Sequence, residues 1–138
     1  MKPSLVKIIF IVAASVNILG VALFSKGLTN TALNNADPVL FSNFGLVMIM
    51  VWGLAFLAAA RYAPRVPYLS LAFTVEKAVY VMCWIRWITN HRDTLPDLFA
   101  EDLFAGLFMS IYGAVDFIFM MLFAWVFWTF RNDEIHKD

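Results

Sequence analysis

Hydrophobic positions in this chain fall into four long runs rather than into the short alternations of a soluble domain. The runs cover about Ile8–Phe24, Phe44–Ala60, Tyr68–Trp87 and Leu103–Phe130. Each reaches roughly the seventeen residues or more that a bilayer core demands of a helix. Polar residues collect between them, in Lys26–Asn43, Arg61–Pro67 and Ile88–Asp102. Loops this short join neighbouring helices that run in opposite directions. The pattern therefore predicts an all-α integral membrane protein: one domain, a four-helix antiparallel bundle.

The basic residues orient it. Lys2, Lys7, Arg61, Arg65, Arg131 and Lys137 fall on one side of the four runs, while the other side carries Lys26 and Arg92, with Arg86 near that edge, among Asp37, Asp93, Asp97, Glu101 and Asp102. Excess Lys and Arg marks the cytoplasmic face, so both termini are expected there. Lys2 and Lys7 ahead of an apolar run also resemble a signal peptide. The run ends in Val21-Ala22-Leu23-Phe24-Ser25 without a small-x-small cleavage site, so the first helix is expected to stay. Trp84 and Trp87 at the outer end of the third span, and Trp125 and Trp128 at the inner end of the fourth, fit an aromatic belt. The fourth span has Leu95–Asp102 before it, with an early proline and acids that read as its helix start. Leu98, Phe99 and Leu103 are placed on the membrane surface.

Composition excludes several classes. Hydrophobic residues make up 62% of the 138 and charged residues 14%, against about 25% charged in a soluble domain. Ten basic and ten acidic side chains cancel, which leaves no basic face for nucleic acid. Cys83 is the single cysteine, so dithiol chemistry within one chain is ruled out. His91 and His136 lie outside the spans, so paired axial ligands for an intramembrane haem are missing. No metal or cofactor is expected.

Three ionisable residues interrupt the runs: Glu76 and Lys77 in the third, Asp116 in the fourth. A charge at the centre of a spanning helix costs about 2.5–3.5 kcal/mol on insertion scales. Lys77 and Asp116 lie at matching depths, which predicts a buried ion pair whose desolvation offsets most of its attraction. Glu76 is then left without a cation of its own and is a candidate proton carrier. Tyr80 is four residues after Glu76 and three after Lys77, within reach of both. Tyr112 precedes Asp116 by one turn on the same face. Asn17, near the middle of the first span, can bond across helices. Trp52 in the second is either packing or the wall of a ligand pocket. Gly106, Ser110 and Ala114, at four-residue spacing, read as a smooth face for close helix approach, as do Gly20, Gly45 and Gly53. Arg86 is expected to pair with the acidic outer loop, with anion binding as the alternative.

In length, four-helix layout and inside termini the chain resembles small bacterial inner-membrane proteins of the DoxX-like sort. Phe41-Ser42-Asn43-Phe44-Gly45-Leu46 and the Glu76-Lys77 step have the look of family signatures. The likeness is one of plan, so it implies a location in the bacterial plasma membrane and carries no site residues. Small multidrug-resistance transporters are a poor match, because their carboxylate lies in the first helix, where this chain has Asn17. Three functions follow from the polar centre. The first is binding of a small amphipathic ligand or of a membrane-protein partner. The second is proton-coupled transport by a homo-oligomer through Glu76. The third is lipid modification with Glu76 or Asp116 as acid or base. Membrane lipid is a partner in all three.

Overall fold

The computed structural model describes residues 2–65 and 67–135. His136 and Lys137, used above in the haem and charge arguments, lie outside them. Among the described residues every regular element is helical: α1 (Pro3–Phe24), α2 (Thr31–Ala36), α3 (Asn43–Ala59), α4 (Pro67–His91), α5 (Leu95–Glu101) and α6 (Leu103–Ile135), with one 3₁₀ turn at Ala63–Arg65. Three of these, α1, α4 and the Leu103–Arg131 part of α6, are long and apolar enough to cross a membrane. The fourth apolar helix, α3, has 17 residues, or about 26 Å at 1.5 Å per residue.

Large apolar side chains remain outside. Ile8, Val12, Leu19 and Leu23 of α1, Val75, Val79 and Met82 of α4, and Ile118, Met121 and Trp125 of α6 are all exposed. A soluble domain of this size does not present so much contiguous hydrocarbon to water. Facing lipid, these side chains have no penalty to offset.

Inside, the core divides into two apolar clusters. One gathers Phe10, Phe56, Phe73 and Phe123 around Val6, Ala13 and Val126. Their rings meet edge-on or tilted at centroid distances from 4.8 Å (Phe56–Phe73) to 5.9 Å (Phe10–Phe73), the geometry that aligns a positive ring edge with a negative face. The other gathers Val21, Leu33, Phe41, Leu46, Ile49, Trp87, Phe108, Met109 and Tyr112. Between the two, at matching points along α1, α4 and α6, lie Asn17, Glu76, Lys77 and Asp116.

Three glycines admit close helix contact. A Cβ on Gly113 would stand 2.1 Å from Trp84 Cγ, and one on Gly53 would stand 2.7 Å from Ile18 Cγ1 and 3.0 Å from Asn17 Cβ. In the expected small-residue stripe of α6, Gly106 has this role, towards the short helix α5. It receives Phe99 of α5, whereas Ala114 is exposed. Gly20 has open space around it, and Gly45 makes room for the Leu40 carbonyl of its own preceding loop. That last contact explains part of the Phe41–Leu46 stretch. Phe41 is fully buried, Ser42 caps α3 by accepting from the Gly45 N–H at 3.1 Å, and Gly45 lets the loop return over the helix end.

Leu95–Asp102 is not the start of the last long helix. It forms a separate helix, α5, and the chain breaks at Asp102 with φ −153° and ψ 116°. Its proline and first-turn acid do belong to a helix start, but α6 is capped by Asp102, whose Oδ1 accepts from the Ala105 N–H at 2.8 Å. Phe99 and Leu98 accordingly pack inward, and Leu103 alone of the three is exposed.

Asp102 also holds the far end of α1. The turn after α1 passes through three successive left-handed residues, Lys26, Gly27 and Leu28, a conformation unfavourable for side chains other than glycine. Lys26 pairs with Asp102, and the Asn30 amide donates to Asp102 Oδ1 at 3.0 Å. The Lys26 hydrogen bond, helped by the Ala105 and Asn30 donors and opposed by partial burial, holds the Asp102 carboxyl down at about 2. A depressed folded value means the contribution is complete above the unfolded value of about 3.9 and is lost as pH falls towards the folded one. Asp102→Asn keeps a capping oxygen and removes the charge. It is expected to lower the thermal midpoint at pH 7 by an amount that fades between about pH 4 and pH 2. Because Lys26 is exposed, the effect is small, below about 1 kcal/mol. Parallel melting curves for the two proteins over that range would reject the assignment.

Candidate functional site

The polar layer draws side chains from three helices: Asn17 from α1, Glu76 and Lys77 from α4 and Asp116 from α6. α1 widens to a π turn over Val16–Gly20, an irregularity that often accompanies a functional side chain. Asn17 sits in that turn, buried. Its amide nitrogen donates to the Ile49 carbonyl of α3 at 3.1 Å, and its oxygen accepts from Lys77 Nζ at 3.0 Å. Gly53, one helical turn beyond Ile49, is the position where α3 lacks a side chain, so the amide can reach the carbonyl.

Lys77 is the centre of the layer and only 1% exposed. Its ammonium donates to Asp116 Oδ1 at 2.6 Å and lies 3.9 Å from Glu76 Oε1. It also faces the Phe56 ring at 5.3 Å and the Tyr80 ring at 5.9 Å. Tyr80 thus contacts the lysine through its ring face. Glu76 is buried, and neither of its oxygens has a hydrogen-bond partner. Two carboxylates therefore share one cation, and the more distant of them is left with the ion pair alone.

A cavity of about 80 Å³ opens beside this layer, lined by Asn17, Tyr80, Tyr112 and Asp116 at its polar end. Phe24, Phe41, Phe108 and Val115 form its apolar walls. Tyr112 is buried between Phe41, whose ring meets it edge-on at 4.9 Å, and Phe108, stacked on it at 5.5 Å; its hydroxyl has no partner. Val16 and Ile111 also line the cavity and are among the exposed apolar residues. The opening therefore lies between α1 and α6, on the face covered with exposed hydrocarbon.

Of the residues singled out in the sequence, Asn17, Tyr80, Tyr112 and Asp116 line the cavity; Lys77 and Glu76 stand behind them. Trp52 does not line it. Its ring packs edge-on against Phe73 at 6.3 Å. Arg86 forms no ion pair among the described residues; it lines a separate groove with Asp37, Cys83, Trp87, Asn90 and His91. Trp84 and Trp87 are not an interfacial belt. Trp84 Nε1 donates to the Met109 carbonyl at 2.9 Å, and the largely buried Trp87 donates to the Ala36 carbonyl at 2.8 Å. Sequence reasoning missed the walls: Phe24, Phe108 and Ile111 carry no local signal that separates them from lipid-facing residues. Phe41 was within reach, since the Phe41–Leu46 stretch stood out.

Among the described residues no group of His, Cys, Asp or Glu side chains could hold a metal ion. No family model, curated protein or solved structure matches the chain. The reading of function rests on the geometry.

Proposed function

We propose a multi-pass membrane protein that binds a small amphipathic ligand from within the bilayer, through the cleft between α1 and α6. The observation that carries this reading is the cavity itself. It connects an apolar, laterally placed mouth at Val16 and Ile111 to a polar end at Asp116 and Asn17. Pockets that bind such molecules combine apolar walls with a few convergent polar groups. Glu76 does not line the cavity, so proton-coupled transport through it, and catalysis by it, have weaker support than binding.

The same proposal includes four antiparallel spans with α3 as the second, and both termini and the Arg61–Pro67 turn in the cytoplasm. In its support, contacts between α4 and α6 run in opposite order along the two helices: Tyr68 with Phe127, Phe73 with Phe123, Lys77 with Asp116, and Trp84 with Met109. The Lys and Arg asymmetry favours this orientation, and the likeness in plan to DoxX-like proteins favours a bacterial plasma membrane. In a Cys83-free background, cysteines at Asn35 and Asn90 are expected to react with an impermeant reagent added outside intact cells. Labelling of Arg65→Cys instead would reverse the orientation.

Purification in mild detergent followed by mass spectrometry tests the binding reading. Ile111→Trp fills the mouth from a lipid-facing position and is expected to retain the thermal midpoint while losing the copurifying species. Wild type that carries nothing, or a variant that carries the same species, would refute it.

A further inference from the structure

The chemistry of the cleft narrows what it can take. The single cation of the layer is turned inward: Lys77 is 1% exposed, and its ammonium is occupied by Asn17 Oδ1 and Asp116 Oδ1. Asp116 is different. Its side chain is 13% exposed and lines the cavity. Its Oδ1 takes the lysine, while its second oxygen accepts no hydrogen bond from any described residue. Glu76 lies behind Lys77, so the one ammonium of the layer is held between two carboxyl groups and turned away from the cavity. What the cavity meets at its polar end is therefore a carboxyl oxygen of Asp116.

Each class of head group fares differently there. A carboxylate or phosphate would meet the Asp116 oxygen with no cation turned towards it. A pure hydrocarbon would leave the Asp116 oxygen without a partner, which is costly away from water. An ammonium would donate to Asp116 in a charge-assisted hydrogen bond. It would also sit among the rings of Phe41, Phe108 and Tyr80, whose faces attract cations. The volume, about 80 Å³, admits a head of few heavy atoms, and its apolar chain leaves between Val16 and Ile111 into the bilayer.

Resting on the binding reading above, we infer that the cleft takes an organic ammonium ion bearing at least one N–H, with Asp116 as its acceptor and an apolar chain lying in the membrane. Two sources share this chemistry: a free amphipathic amine and the head group of an aminophospholipid.

Calorimetric titration of the protein in phosphatidylcholine nanodiscs, with heats from empty discs subtracted, tests it using hexylammonium, 1-hexanol and hexanoate. Hexylammonium is expected to bind saturably, at least about tenfold tighter than the alcohol, and hexanoate not to bind. The pair of substitutions Lys77→Met with Asp116→Asn removes one charge of each sign and leaves the net charge as it was. It is expected to abolish the preference for the ammonium while still melting cooperatively. Retention of the preference in that double variant would overturn Asp116 as the acceptor. Alcohol binding as tight as ammonium binding would overturn the ligand class and leave the cavity reading intact. Failure of all three probes, with no change on Ile111→Trp, would remove the cavity reading as well. Repeating the titration in phosphatidylethanolamine discs assigns the source: weakened hexylammonium binding identifies the lipid head group, and unchanged binding identifies a free amine.

Discussion

Lys77→Met is expected to be the most damaging single substitution in the polar layer, lowering stability in detergent by about 3–5 kcal/mol. Three groups lose their partner at once: Asp116 Oδ1, Asn17 Oδ1 and the more distant Glu76. Two buried carboxylates are then left facing each other with no cation between them. Asp116→Leu should cost less, because the ammonium keeps Asn17, Glu76 and the rings of Phe56 and Tyr80. Combining Lys77→Met with Asp116→Leu should recover much of the loss, and adding Glu76→Gln should recover more, since the last uncompensated charge is then gone. Denaturation of the five proteins under one condition checks the order. Simple addition of the single losses would mean that Lys77 and Asp116 are not coupled, whatever their separation.

The second large effect is expected at Gly113→Ala. The new methyl would lie 2.1 Å from Trp84 Cγ, so the indole must move and its hydrogen bond to the Met109 carbonyl must lengthen or break. Overpacking costs about 1–3 kcal/mol, and a lost buried hydrogen bond about 1 kcal/mol more. Gly20→Ala is the control. It meets nothing within 4 Å and replaces a poor helix former, so it should be neutral or raise stability by up to about 1 kcal/mol. Equal effects at the two glycines would show that chain flexibility, and not contact with Trp84, sets the cost. Near-ultraviolet circular dichroism, sensitive to the Trp84 environment, should change for Gly113→Ala alone.

The long apolar helices were legible in the sequence because lipid and protein core both reward hydrocarbon, which leaves uninterrupted runs. That same fact hid which side of each helix faces inward. Gly106 and Gly113 look alike in a row of apolar letters, yet Phe99 fills the space at one and Trp84 at the other. Trp84 and Trp87 were read by their position near a span end, where indoles favour the headgroups. Their N–H groups instead donate to the Met109 and Ala36 carbonyls, and a sequence does not display which carbonyls lie within reach of an indole. The meeting of Lys77 with Asp116 needed only depth along two helices, and depth can be counted in residues. Asn17 needed more. Its approach to Ile49 depends on the absence of a side chain at Gly53, a contact between helices far apart in sequence. Asp102 shows the same limit on a small scale: acids near a helix start were visible, but which acid ends one helix and opens the next depends on a single extended residue.

The π turn at Val16–Gly20 makes α1 sensitive to length in a way its composition conceals. On one side of it Phe10 and Ala13 belong to one apolar cluster, and on the other Val21 belongs to the second. Between them the chain has more residues than a regular helix would use for the same rotation. Deleting one residue of this turn would let it close into a regular α-helical turn with both faces kept inward, whereas deleting one from the regular turns on either side would swing the two halves relative to each other by about 100°. Either Phe10 or Val21 would then point into lipid, and the Ser25–Asn30 turn would lose its reach to Asp102. Along this helix, substitution is a local matter and counting is a global one.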